Sequence, residues 1–157
     1  MFLNIIKLLL SLFLFTGSLF SFSQDVNGGT YDSILAKKLG GDEYGMKNYT
    51  FVILTTGDSV ITDKSRRNEL FSGHLKNIGR LVNEGKLIVA GPLGSNELAY
   101  RGIFIFDKEK TGEIEQVLMT DPAIQSGLLN YLIFDWYGSA ALPTYMETHK
   151  KIQKTDF

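Results

Sequence analysis

His74 is the residue on which most chemistry could turn, because a neutral imidazole can both take up and release a proton near physiological pH. It follows Leu70 by four residues and Phe71 by three, and precedes Ile78 by four. In a helix this spacing sets it along an apolar stripe. Two roles fit such a position: a core histidine bonded to a backbone carbonyl, or a proton carrier facing a pocket. Gly73 beside it makes room for a ligand or a second backbone. Arg67 lies almost two turns earlier on the same side, where it could meet an anion, although a solvated first-turn residue would look the same. Asp121, immediately before Pro122, is the second acidic or basic candidate. An aspartate there also ends one element and caps the next. Gly91-Pro92 allows close backbone approach or simply makes a turn. Trp136 and Tyr137 could floor a pocket or serve a core or interface. His149 is the other histidine, and two distant histidines make a poor metal site. No phosphate loop or serine elbow is present, since Gly91-Pro92-Leu93-Gly94-Ser95 is too short and lacks the Lys-Ser/Thr ending.

The elements that must position these residues follow from periodicity. Tyr49–Thr55 is a β-branched and aromatic run bounded by Gly57-Asp58, which predicts a strand. A long helix should open near Asp63 or Ser65 and close at Gly85, with Leu70, Phe71, Leu75, Ile78, Leu81 and Val82 as its buried stripe. Gly73 and Gly79 inside it each cost about 1 kcal/mol against alanine, which suggests close packing there. Leu87–Ala90 and Gly102–Phe106 read as strands. A shorter helix is expected from Thr111, as its cap, to Thr120, stopped by Asp121-Pro122. Leu128–Tyr137 is the fourth strand. The order βαββαβ is the ferredoxin-like split β-α-β pattern, an α+β fold. The last strand is apolar on both sides, Tyr131 and Ile133 alternating with Leu132, Phe134 and Trp136. Two helices cover one face only, so a second copy of the chain is expected on the other.

The flanks differ. Residues 1–23 carry Lys7 as their only charge, then an almost wholly apolar run Leu8–Phe15, then Ser21 and Ser23 at the positions a signal peptidase prefers. A cleaved export signal is expected, with Gln24 first in the mature chain, which would then be periplasmic or secreted. The apolar run is short of the ~18 uninterrupted residues of a spanning helix. Residues 24–46 read as an arm with one helix, capped by Thr30 or Asp32, apolar through Tyr31, Ile34, Leu35 and Leu39, and ended by Gly40-Gly41. This arm is expected to pack on the main body, residues 47–137. Residues 138–157 form a tail with Tyr145, His149 and Ile152 at helical spacing.

Formal charge of −1 over 157 residues, with no basic cluster, argues against nucleic acid, whose phosphates need several Lys or Arg. Without cysteine there is no disulfide, thiolate chemistry or sulfur-based zinc site.

His74-Leu75, with the run Leu81-Val82-Asn83-Glu84-Gly85-Lys86-Leu87-Ile88-Val89-Ala90-Gly91-Pro92-Leu93, resembles the helix-to-strand signature of the YCII-related family. Arg101-Gly102-Ile103-Phe104 and Thr120-Asp121-Pro122-Ala123-Ile124-Gln125-Ser126-Gly127-Leu128 are similar to its later motifs, in the same order. The flanks, from Tyr31 to Met46 and from Trp136 to Leu142, look like an exported branch of that family. The resemblance implies a dimeric α+β barrel and a catalytic pair formed by a histidine and an aspartate, matching His74 and Asp121. One branch of the family includes an enzyme that eliminates chloride from a chlorinated hydroxyquinol. The expectation is a cofactor-free enzyme of lyase or isomerase type, binding a small polar or aromatic molecule with Arg67, Gly91, Pro92 and Trp136 beside the pair. No metal is expected. A non-catalytic ligand-binding module and a structural envelope domain are the alternatives. A fitted pocket at His74 favours either of the first two, and a tightly packed His74 favours the third.

Overall fold

The computed structural model describes residues 31–155. The expected leader over residues 1–23, and the start of the arm up to residue 30, lie outside the described residues. The chain divides into a unit Met1–Tyr31 and a unit Asp32–Phe157, and the second contains everything that follows.

Helix α1 (Ser33–Leu39) is followed by strand β1 (Met46–Thr56), helix α2 (Lys64–Asn83), strands β2 (Leu87–Pro92) and β3 (Tyr100–Asp107), and short helices α3 (Lys108–Thr111), α4 (Ile114–Leu118) and α5 (Pro122–Gln125). Strand β4 (Leu129–Ser139), a 3₁₀ turn (Leu142–Thr144) and helix α6 (Tyr145–Ile152) complete it. The four strands form one antiparallel sheet in the order β2-β3-β1-β4. This is the ferredoxin-like α+β arrangement expected from the βαββαβ order.

Strand alternation divides the apolar residues between two layers. On one face Val52, Leu54, Leu87, Phe104, Phe106 and Leu129 pack under Leu81 of α2, Leu118 of α4 and Ala123 and Ile124 of α5. On the other, Tyr49, Ile88 and Ile105 form a smaller cluster with Phe51, Val89 and Leu142. Leu142 belongs to the tail, so the C-terminal segment turns back over part of this second face. The Tyr145 hydroxyl secures it by donating to the carbonyl of Ile88, and burial pushes the Tyr145 phenol up. Beyond this patch the face is open: Leu132 is 42% and Phe134 46% exposed.

Several expected boundaries move. Strand β2 runs through Gly91 to Pro92, which an edge strand permits because the missing N–H faces away from the ladder. The helix expected from Thr111 to Thr120 is shorter, spanning only α4 (Ile114–Leu118) from Glu113 without a side-chain cap, and the unexpected α3 precedes it, ended by Gly112 at φ 61°. Helix α1 forms as expected, with the Asp32 carboxylate accepting from Ile34 N and Leu35 N and Gly40 closing it at φ 73°. Its apolar side does not pack on the body, however. No residue of α1 is buried, and Ile34 is 82% exposed. The arm is held through the loop after it: Tyr137 donates from its hydroxyl to Asp42, and Ala140 N donates to Gly45 O at 2.9 Å.

The two glycines inside α2 part company. A Cβ on Gly73 would sit 2.9 Å from Cγ of Pro122, whereas one on Gly79 would meet nothing within 4 Å. Close packing therefore explains Gly73 and not Gly79. Gly79→Ala should raise stability by about 0.5–1 kcal/mol, since it restricts the unfolded chain at no steric cost. Gly73→Ala should lower it, because a stiff proline ring must move and overpacking typically costs ~1–3 kcal/mol. Urea melts of both variants give the two signs directly.

Candidate functional site

His74 stands in the middle of α2, whose start is fixed by the Asp63 carboxylate accepting from Ser65 N and Arg66 N. Its ring lies over Phe104 of β3, with centroids 6.0 Å apart and planes at 27°, and meets the edge of Phe71 at 6.4 Å. Asp121 reaches it from the far side of the α2–α5 contact. The Asp121 Oδ2 is 2.6 Å from His74 Nδ1, and Oδ1 accepts from Ala123 N at 2.9 Å, capping α5. Both roles that the sequence left open for Asp121 are thus filled at once, one by each carboxylate oxygen.

The local structure holds this pair in place. Pro122 rests on Gly73, one residue before the histidine. Nearly two turns further along α2, Arg80 Nη2 donates to Asn77 Oδ1 at 2.8 Å and to the Thr120 hydroxyl at 2.9 Å. The hydroxyl in turn donates to Val117 O at 2.7 Å. The residue before Asp121 and the residue after it are therefore both tied to α2.

With Asp121 at 1% and the His74 side chain at 12% exposure, Nδ1 carries the proton that the carboxylate accepts, which leaves Nε2 as the free, basic nitrogen. Nε2 has no protein partner among the described residues, and none of their buried polar side-chain atoms is left unpartnered, so it opens onto accessible space. That space is a cavity of about 300 Å³ lined by Leu54, Phe71, Leu75, Ile78, Phe104 and Leu129, by the strand ends Ala90, Gly91, Pro92 and Gly102, and by Arg101. An imidazole with an acceptor behind it and an apolar hollow before it can act as a general base.

Of the residues expected at the site, His74, Gly91 and Pro92 line this cavity and Asp121 backs it. Arg67 and Trp136 do not line it. The Arg67 guanidinium donates to Ile61 O at 3.1 Å and fastens the loop before α2. Trp136 packs on Tyr49 with centroids 5.4 Å apart, in the layer of Phe51 and Phe134 on the opposite side of the sheet. His149 stands against Tyr145 in the tail, and no group of three or more potential ligands for a metal occurs among the described residues. Nine lining residues fall outside the set expected from the sequence, Phe71, Leu75 and Arg101 among them. Phe71 and Leu75, expected in the buried stripe of α2, are both exposed and form one wall. Their signal was a stripe wider than one helix face needs. Arg101 appeared only inside a motif.

No family model matches the chain, and no curated protein matches it. Among solved structures the chain is similar to 5-chloro-2-hydroxyhydroquinone dehydrochlorinase from Burkholderia phenoliruptrix, determined in complex with 2,5-dihydroxybenzoquinone. The identity is 20%, over 55% of this chain and 92% of that one, with a TM-score of 0.40.

Proposed function

We propose that this chain is an exported member of the YCII-related family and a cofactor-free enzyme, in which His74 moves a proton on a small molecule bound in the cavity. The observation that carries this is the 2.6 Å contact of Asp121 with His74 Nδ1, on an imidazole that lines a mainly apolar hollow. Asp121 fixes the tautomer and balances the imidazolium when Nε2 takes up the proton. A positioned base of this kind supplies typically ~10²–10⁴-fold in rate, sufficient for an isomerisation or elimination at an acidic C–H or O–H. The presence of a hollow beside His74 favours a ligand-handling role over a purely structural one.

Ala90 gives the test. It pairs with Phe104 in the ladder, shares that residue's face and lines the cavity. Ala90→Phe should fill the hollow while leaving the exposed strand end intact. Small molecules enriched from an extract by the purified chain, identified by mass spectrometry, should be lost in Ala90→Phe and be turned over by the wild type alone. If Ala90→Phe enriches the same molecules as the wild type, the cavity is not the binding site. If ligands bind and are never converted, the chain is a binding module.

Two further parts of the proposal rest on the flanks and on the sheet. Export predicts that protein recovered from the envelope begins at or near Gln24. The open layer around Leu132 and Phe134 suits a second copy of the chain, and specific interfaces begin near ~1,000 Å² of buried surface. Light scattering should then give at least twice the monomer mass.

A further inference from the structure

We propose that Arg101 is the anion-binding residue of the His74 cavity, and that the ligand it selects is a small acid bearing a carboxylate or phenolate on an apolar body. This rests on the cavity being a ligand site, and it adds the chemical class of what enters.

The first observation is a break in register. β1 and β3 pair as Leu54 with Gly102 and then Thr55 with Tyr100, so Arg101 is the extra residue of a β-bulge. In an unbroken strand it would share the face of Ile103 and Ile105, away from His74. Bulges re-aim side chains, and here the result is an arginine that lines the same cavity as the histidine.

The second is how the guanidinium is held. Its Nε donates to the Thr56 hydroxyl at 2.6 Å. Thr56 is positioned in turn by its N–H donating to the carbonyl of Ala99 at 3.2 Å. Ala99 has φ of 55° and is the one non-glycine residue with positive φ among those described. Such a conformation costs energy and persists only where the surroundings enforce it. The backbone is thus strained at the residue that fixes the arginine's anchor.

The third is what the guanidinium lacks. Arg66 pairs with Glu69 and Arg80 with Glu84, whereas Arg101 has no carboxylate partner among the described residues. With Nε engaged, its two terminal nitrogens present the fork that receives a carboxylate end-on. Phe71, Leu75, Ile78 and Phe104 then accept the apolar body, and His74 Nε2 meets it between the two. A volume of about 300 Å³ is at the small end for ligand pockets, which points to a single ring or a short chain.

Matched acids and amides separate the possibilities. Isotope-labelled protein is titrated with benzoate and salicylate and with benzamide and salicylamide, following the amide signals of Gly91 and Gly102 and the ring signals of His74. The acids should bind at least about tenfold more tightly than the amides, the scale of one charge-assisted contact. Arg101→Met should abolish that preference without weakening the amides, and Arg101→Lys should keep part of it. Equal affinity of acids and amides for the wild type, or an acid preference that survives in Arg101→Met, overturns the role of Arg101 while leaving the cavity as a ligand site. If none of the four probes perturbs the cavity of the wild type, the acid class falls. If the extract also yields no ligand sensitive to Ala90→Phe, the cavity falls with it.

Discussion

His74→Asn should abolish turnover, by about 10²–10⁴-fold, while leaving the melting temperature close to that of the wild type. The asparagine amide occupies roughly the place of Nδ1, so it can still donate to Asp121 Oδ2, but nothing remains at the place of Nε2 to take up a proton. His74→Ala should differ. It strips the donor from a carboxylate that is 1% exposed, and an orphaned buried acceptor costs about 1–3 kcal/mol. A histidine that serves packing and a histidine that serves catalysis are not exclusive alternatives at this position, because under the proposed function the same bond to Asp121 would serve both. Comparing Asn with Ala separates the contributions that a single substitution would mix. Turnover within a few-fold of wild type in His74→Asn, measured on the molecule recovered by enrichment, would remove His74 from the mechanism.

The largest loss of stability is expected at Asp121. Asp121→Ala removes the cap of α5, worth typically about 1 kcal/mol, and leaves the His74 Nδ1–H without its acceptor, worth a further ~1–3 kcal/mol. In a domain of this size the sum lowers Tm by on the order of 10 °C. Asp121→Asn keeps a capping oxygen toward Ala123 N, so its melting temperature should fall much less, but the amide cannot balance an imidazolium and turnover should still drop. The two residues form one unit, so the effects of His74→Asn and Asp121→Asn on rate should not add. Calorimetry together with initial rates tests both halves. An Asp121→Ala protein that melts with the wild type would show that the carboxylate carries no structural weight.

Sheet order and the His74–Asp121 pair were within reach of the sequence for different reasons. The strands declare themselves through β-branched and aromatic runs bounded by turn residues, such as Tyr49–Thr55 before Gly57-Asp58, and a βαββαβ order has few ways to close. The pair came through motif resemblance, since residues on α2 and before α5 have no spacing that relates them. What escaped depends on partners rather than on local pattern. Helical spacing correctly put Arg67 on the same side as His74, yet could not show that the Ile61 carbonyl would claim it. Arg101 was hidden because alternation along β3 points it to the wrong face. Only the pairing with β1 reveals the bulge. Gly73 and Gly79 look alike in the chain, and only the position of Pro122 tells them apart. Helix α3 escaped because Lys108–Thr111 is wholly polar, so no apolar spacing marks it as a helix.

The placing of β1 between β3 and β4 has a consequence for how the chain acquires its structure. The Tyr49 hydroxyl donates to the carbonyl of Ser139, 90 residues further on, and β1 pairs with β4 from Met46–Ser139 to Thr56–Leu129. Contacts so distant in sequence close late and slowly. A nascent chain that ends before β4 has β1 as an uncovered edge, with Phe51, Val52 and Ile53 next to unpaired backbone groups, the form in which strands recruit other chains. Until β4 is in place the vulnerable species is the unfinished chain, and whatever handles this protein during synthesis has to keep its first strand waiting for its last.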